Sequence, residues 1–124
     1  MYLLDSSAVI ELLGGTPRGR KIEQLVGKIP LAATTISFVE VISGMKGNAI
    51  VGALEFFNSI VIFDFDKAAA NESIWIDKEL RGIGQLLGKS DLYIAGISKK
   101  NKLPLVTCDN DFKRIKSITC YFIE

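Results

Sequence analysis

Met1-Tyr2-Leu3-Leu4-Asp5-Ser6-Ser7 is the stretch on which the fold turns. Tyr2–Leu4 reads as a short apolar strand. Asp5 closes that run, and Asp5-Ser6-Ser7 supplies the small polar side chains that cap a helix start. A helix from about Ser7 to Leu13 follows. A strand that passes at once into a helix is the first unit of an alternating α/β chain.

The rest of the chain repeats that alternation. Gly14-Gly15-Thr16-Pro17 breaks the first helix. Arg18–Val26 sets Ile22, Leu25 and Val26 at helical spacing, and Pro30–Ala33 is a short apolar strand. Thr35–Ser43 is rich in β-branched residues that would also suit a strand. It is read as a helix, with Thr35 or Ser37 as cap and Gly44 as stop. Ala49–Phe57 is helical and Ile60–Phe63 is a buried strand. Asp66 caps a long helix to about Arg81, Gly82, Gly84 and Gly88 mark a loop, and Ser90 caps a helix to about Lys100. Leu103–Val106 is a strand with Pro104 near its start. A short helix over Asn110–Lys113 and a strand over Ile118–Ile123 complete the chain. Strands alternating with helices imply parallel pairing, and the expectation is a three-layer α/β/α sandwich in one domain over residues 1–124.

Composition narrows the chemistry. The chain is 124 residues long and 48% apolar, enough for one real core. No apolar run reaches the roughly 18 to 20 residues of a membrane span, and no basic-then-apolar leader is visible. The expectation is a cytoplasmic protein. Cys108 and Cys120 form neither a disulfide framework nor a zinc site; they read as reduced core residues, with a bridge between them left open. The net charge of +1 points to no class of partner. The absence of histidine excludes Ser-His-Asp and Cys-His catalysis and histidine-ligated zinc hydrolase sites.

Four acids stand at the ends of apolar runs or inside them: Asp5, Glu40, Asp91 and Asp109. A carboxylate near a core is costly unless its charge is compensated. Each has an ordinary reading as well. Asp5, Asp109 and Asp111 can cap helices, Asp91 sits well in a first turn, and Glu40 can occupy the edge of an amphipathic face. If the first and fourth strands are neighbours, all four acids converge on the carboxyl rim of the sheet, where open parallel sheets build their sites. An all-carboxylate pocket selects a hard cation such as Mg2+ or Mn2+. Such ions stabilise both oxygens of an in-line phosphoryl displacement and acidify water. The residues therefore point to metal-dependent phosphodiester hydrolysis.

Tyr2-Leu3-Leu4-Asp5-Ser6-Ser7, Ser37-Phe38-Val39-Glu40-Val41, Asp91-Leu92-Tyr93-Ile94-Ala95 and Thr107-Cys108-Asp109-Asn110-Asp111-Phe112 together resemble the PIN domain, and more narrowly the VapC-type toxin ribonucleases. The resemblance runs over essentially the whole chain. It implies a parallel sheet of about five strands between helices. It implies an endoribonuclease using Mg2+ or Mn2+, an RNA substrate, a homodimer, and inhibition by a small antitoxin protein. Asp5, Glu40, Asp91 and Asp109 match the family's acidic metal-binding positions, which implies an ion held by Asp5, Asp91 and Asp109, with Glu40 binding a second ion or orienting the attacking water. Thr107 matches a hydroxyl residue that positions a carboxylate or water. Asp111 is a helper or only a cap, and Ser6 is a supporting residue beside Asp5. Gly96 stands where a second alanine is usual, which is expected to loosen helix packing slightly.

Arg18, Arg20, Lys21 and Lys89 are candidate contacts to an RNA backbone, against the ordinary reading of a solvated surface. Trp75 reads as core or dimer interface rather than as a base-stacking platform. Asp5→Asn is expected to preserve or raise stability without metal by relieving carboxylate repulsion. Three rival readings remain. A phosphoaspartate or receiver-type domain would want a second acid beside Asp5 and has no use for Glu40. A non-catalytic RNA- or partner-binding module would keep the fold without cleavage. A housekeeping RNA-processing nuclease would share the chemistry.

Overall fold

The alternation is present in the computed structural model, which describes residues 1–124. In chain order the elements are β1 (Tyr2–Leu4), α1 (Ser6–Gly14), α2 (Pro17–Val26), β2 (Leu31–Thr34), α3 (Thr35–Ser43), α4 (Ala49–Ser59), β3 (Val61–Phe63), α5 (Lys67–Gly82), α6 (Lys89–Asn101), β4 (Leu105–Thr107), a 3-10 turn (Asn110–Arg114) and β5 (Cys120–Phe122). The strands form one parallel sheet in the order β3-β2-β1-β4-β5. β1 lies at its centre, with Leu3 opposite Ala32 on one side and Leu105 on the other.

Successive strand residues face opposite sides of the sheet, and this sorts the core into two layers. Leu3, Ala32 and Leu105 pack with Ala69, Ile76, Ile94 and Ile97 of α5 and α6. Leu4, Ala33 and Val106 pack with Val9, Ile22, Val41 and Phe57 of α1 to α4. The result is the three-layer α/β/α sandwich. The central strands are apolar on both faces because helices cover both. On the edge strands, Val61 and Tyr121 are exposed.

Local chemistry sets the element boundaries. Gly15, with φ of 62°, closes α1 in the left-handed conformation, and Thr16 caps α2 ahead of Pro17. Asp66 caps α5 by accepting from the Ala69 N–H at 2.8 Å. Two caps differ from the sequence reading. α3 is capped by Thr34, the last residue of β2, which accepts from the Ser37 N–H at 3.0 Å, so neither Thr35 nor Ser37 is the cap. α6 starts at Lys89 after Gly88 with no side-chain cap, so Ser90 lies inside the helix.

Two further expectations change, and one left open is decided. Gly96 does not loosen the packing of α6 on α5. A Cβ there would lie 1.9 Å from Ser73 Oγ and 2.5 Å from the Ala69 carbonyl oxygen, so only glycine permits the close approach. Trp75 is not core: its ring is 59% exposed on α5, beside the exposed Ile74, while Ile76 is buried. Cys108 packs toward the α1–α4 core and Cys120 toward the α5–α6 core. Both are free thiols on opposite faces of the sheet, which removes the bridge between them. Burial pushes the Cys120 thiol up to about 11 and raises Cys108 as well, so both are protonated at neutral pH. No helix is long and apolar enough to cross a membrane.

Candidate metal centre

From β1 the chain winds to β2 on one side, and it later returns to β4 on the other. The carboxyl ends of β1 and β4 therefore flank a topological switch point, where a crevice opens above the sheet. Asp5 follows β1, and Asp109 follows β4 by two residues. The first turn of α6 brings Asp91 to the same rim, and α3, which begins directly after β2, brings Glu40.

Asp5 is 2% exposed and is held by three donors. Its Oδ1 accepts from the Ala8 N–H at 2.8 Å, capping α1. Ser7 Oγ lies 2.7 and 2.9 Å from its two oxygens, and Thr107 Oγ1 donates to Oδ2. Thr107 in turn accepts from the Asp109 N–H at 3.0 Å, and Ser7 accepts from the Cys108 N–H at 3.0 Å. These bonds stitch β1 to β4 across the switch point. Burial raises the carboxyl of Asp5 above its ordinary value; the bonds from Thr107, Ala8 and Ser7 pull it back, and the charge of Asp109 pushes it up again.

Asp91 is half-buried and accepts no hydrogen bond from the protein. Its carboxyl is pushed up to about 6, first by burial and then by the charges of Asp109, Asp5, Glu40 and Asp111. Asp109 caps the 3-10 turn by accepting from the Asp111 N–H at 2.8 Å. That bond draws Asp111 inward, and carboxylate oxygens of Asp91, Asp109 and Asp111 lie within 4.8 Å of one another. Asp5 and Glu40 stand outside this set. Asp111, which sequence reading left as a helper or a cap, belongs with the tightest group of acids.

Glu40 is exposed, so the cost of burial that drew attention to it does not apply. Its side chain is nevertheless fixed: Ser6 Oγ lies 2.6 Å from its Oε1 and 3.1 Å from Ser37 Oγ. Of the candidate cations, Arg18 Nη1 lies 3.9 Å from Glu11 Oε1, and Lys21 Nζ donates to the Glu124 carbonyl oxygen at 3.1 Å. Arg20 and Lys89 are exposed and make no ion pair. Two residues escaped sequence reading. Ser7 binds both oxygens of Asp5, a role signalled by its place two residues beyond a helix cap. Arg114 pairs with Asp111 at 3.3 Å, signalled by three-residue spacing in a 3-10 turn.

The donor set fits a divalent cation. Only oxygen ligands face the cluster, and neither Asp91 nor Asp109 has a basic partner. Like charges crowd Asp91 until its ionised form is strained. A hard, oxygen-seeking ion relieves that strain. None of these acids lines either of the two main clefts. The larger of the two main clefts, about 570 Å³, is lined by Ser98, Lys102, Pro104 and Tyr121 near the far end of α6. An acidic rim outside those clefts suits an extended strand better than an enclosed small molecule.

The family model described as the PIN domain matches residues 2–118. No curated protein matches the sequence. Among solved structures, VapBC2 from Rickettsia felis, bound to a DNA fragment from its promoter, contains a similar chain. That chain is 23% identical with a TM-score of 0.84, over 99% of this chain and 98% of the other. A toxin–antitoxin complex from Klebsiella pneumoniae matches at 21% identity and a TM-score of 0.81, over 99% of this chain and 100% of the other. Mycobacterium tuberculosis VapC20, a sarcin–ricin loop cleaving toxin, matches at 13% identity and a TM-score of 0.71, over 91% of this chain and 93% of the other. At these identities the structural likeness carries the fold.

Proposed function

The chain belongs to the PIN domain family, and from that premise we propose that it is a metal-dependent endoribonuclease, a single PIN-like domain serving as the toxin of a toxin–antitoxin pair. The observation that carries the reading is the meeting of Asp91, Asp109 and Asp111 at the switch point, above the hydrogen-bonded seat of Asp5. A solved relative that is a sarcin–ricin loop cleaving toxin supports RNA as the substrate class. The Klebsiella pneumoniae complex supports an antitoxin partner. Exposed Phe38, Val39, Val51 and Leu54 on α3 and α4 offer a partner an apolar face beside Glu40. Trp75 and Ile74 on α5 offer a second such face for a homodimer. We place the protein in the cytoplasm.

In this reading Asp91 and Asp109 hold Mg2+ or Mn2+, with Asp111 beside them and Asp5 beneath. A bound divalent ion supplies charge to the phosphoryl oxygens and makes water a better nucleophile. The chain's own residues set the geometry. Thr107 and Ser7 fix Asp5, and the Asp111 N–H fixes Asp109. Ser6 steadies Glu40 at Oε1 and leaves Oε2 to orient the attacking water and take its proton. With no histidine in the chain, a carboxylate is the natural base. Exposed Arg20 and Lys89 then meet the RNA backbone, each adding a salt-dependent share of affinity.

The test is cleavage of a mixed RNA substrate by the purified chain in Mg2+, Mn2+ and EDTA, with Asp91→Asn prepared in parallel. Cutting that requires the ion and vanishes in the variant is the expected result. Cutting that survives either EDTA or the substitution removes the assignment.

A further inference from the structure

Asp111 presents a difficulty that the acid cluster alone does not resolve. Its side chain is about half exposed, it sits on a five-residue 3-10 turn, and it faces two other carboxylates. Repulsion should swing it outward into water, where nothing prevents the rotation. Something must hold it in place.

Arg114 does so with two arms. Its Nη2 lies 3.3 Å from Asp111 Oδ1, and its Nη1 donates to the Leu86 carbonyl oxygen at 2.7 Å. Residues three apart eclipse in a 3-10 helix, so Asp111 and Arg114 stack on one side of the turn. Leu86 belongs to the connection between α5 and α6, just before the turn of helix that carries Asp91. That connection is itself pinned, since the Gln85 N–H donates to the Leu80 carbonyl oxygen at 2.8 Å. The guanidinium thus joins the segment bearing Asp111 to the segment leading into Asp91. The neighbouring Lys113 takes no part, lying instead over the Phe122 ring at 5.2 Å.

We infer that Arg114 is a positioning residue for the acid cluster: it holds Asp111 against Asp91 and Asp109 while anchored on the Leu86 carbonyl. The inference rests on the metal reading given above. It does not rest on the strength of the ion pair, since an exposed pair adds little stability. Its force is geometric. A planar fork serves two acceptors at fixed angles, whereas a lysine ammonium is a single point charge on a flexible stem. Pairing through Oδ1 leaves Oδ2 of Asp111 without a protein partner. The anchor at Leu86 also keeps the guanidinium from following Asp111 into the cluster as a competing cation.

Mn2+ titrated calorimetrically into the metal-free protein tests this, with Arg114→Ala, Arg114→Lys, Asp111→Ala and the Asp111→Ala/Arg114→Ala pair. Circular dichroism and the melting temperature of each metal-free variant check the fold. Arg114→Ala is expected to bind Mn2+ about tenfold more weakly, the low end for groups that orient a ligand. Arg114→Lys recovers less than half of that loss, and it also carries the test if the alanine variant does not fold. In the Asp111→Ala background, removing Arg114 has no further effect, because the residue acts through Asp111. Failure of the unsubstituted protein to bind Mn2+ overturns the metal reading itself. Normal binding by the unsubstituted protein with unchanged or tighter binding by Arg114→Ala overturns only the role of Arg114. Full recovery by lysine, or an equal loss in the Asp111→Ala background, does the same.

Discussion

Asp5 and Asp91 stand on the same rim, both with carboxyls raised by burial, yet the protein treats them in opposite ways. Asp5 is surrounded by donors: a helix N–H, two hydroxyls, and through Thr107 a link onward to Asp109. Asp91 has no donor and four acidic neighbours. Asp5 is thus part of the fabric joining β1 to β4, and its charge is spread over hydrogen bonds. The charge of Asp91 is left unanswered, and the folded chain bears the strain. One acid is tied into the framework of the site, and the other stands among like charges without a donor.

This contrast can be broken most forcefully through activity. If the proposed metal centre is right, Asp91→Asn and Asp109→Asn should each lower RNA cleavage on the order of a thousandfold, since several kcal/mol of charge stabilisation would depend on the ion they would hold. Initial rates in Mn2+ measure it, and a variant that keeps a tenth of the activity breaks the assignment. Stability is the next lever and should separate the two acids by sign. Asp5→Ala removes a helix cap and strands the Thr107 and Ser7 hydroxyls, costing about 2 kcal/mol in urea unfolding without metal. Asp91→Asn should leave the metal-free protein as stable or more so. Equal losses at the two positions would show that both acids are structural.

The expectation that Asp5→Asn relieves repulsion applies with more force to Asp91, which has four acidic neighbours and no donor. An asparagine at position 5 can still cap α1, but it turns an amide toward a Thr107 hydroxyl that already accepts from Asp109. Helix start and strand end were visible at Asp5 in the sequence; its hydroxyl partner 102 residues away was indicated only through the family resemblance.

A subtler probe is pH. Asp91 ionises near 3.8 in the unfolded chain and at about 6 when folded, so the folded state binds this proton more tightly. The stability it contributes is full below about pH 4 and is lost as pH rises through about 6. The change is of order 1 kcal/mol once solvent screening of a half-exposed group is allowed for. Asp5 shifts in the same direction and adds to it. Metal-free melting curves from pH 4 to 7 should decline, and Asp91→Asn should flatten them; a variant as steep as the parent would place the shift elsewhere. The smallest effect belongs to Glu40. Ser6→Ala removes one exposed hydrogen bond and should lower cleavage only a few-fold, in line with about 1 kcal/mol or less. A loss as large as that at Asp91 would make Glu40 a member of the cluster rather than its neighbour.

What could be read from the sequence depended on how local the physics was. Leu3-Leu4, Ala32-Ala33 and Leu105-Val106 announce strands buried on both faces, and their spacing between helices fixes the layers. Asp5, Asp91 and Asp109 were legible because each ends or opens an apolar run. Glu40 was legible for the wrong reason, since its apolar neighbours Phe38 and Val39 are exposed as well. Asp111 was ambiguous because a backbone bond to Asp109 decides its place. Gly96 was misread because the obstacle to a side chain lies on α5, far away in sequence. Cap identities at Thr34 and Gly88 shifted by a residue or two, where backbone angle rather than side-chain type decides.

The pairing of β1 with β4 also sets a timetable. Asp5 leaves the ribosome 102 residues before its Thr107 partner, so the central pairing of the sheet waits on that later segment. Until then β1 has β2 on one flank and an unpaired edge on the other, and closing the long loop to β4 carries its full entropic cost. A nascent or prematurely terminated chain would hold Asp5, Glu40 and even Asp91 while lacking Asp109 and Asp111. If these acids cut RNA, a nascent chain stays harmless until β4 and the turn after it have been made, and truncation after α6 is by itself a means of disarming it.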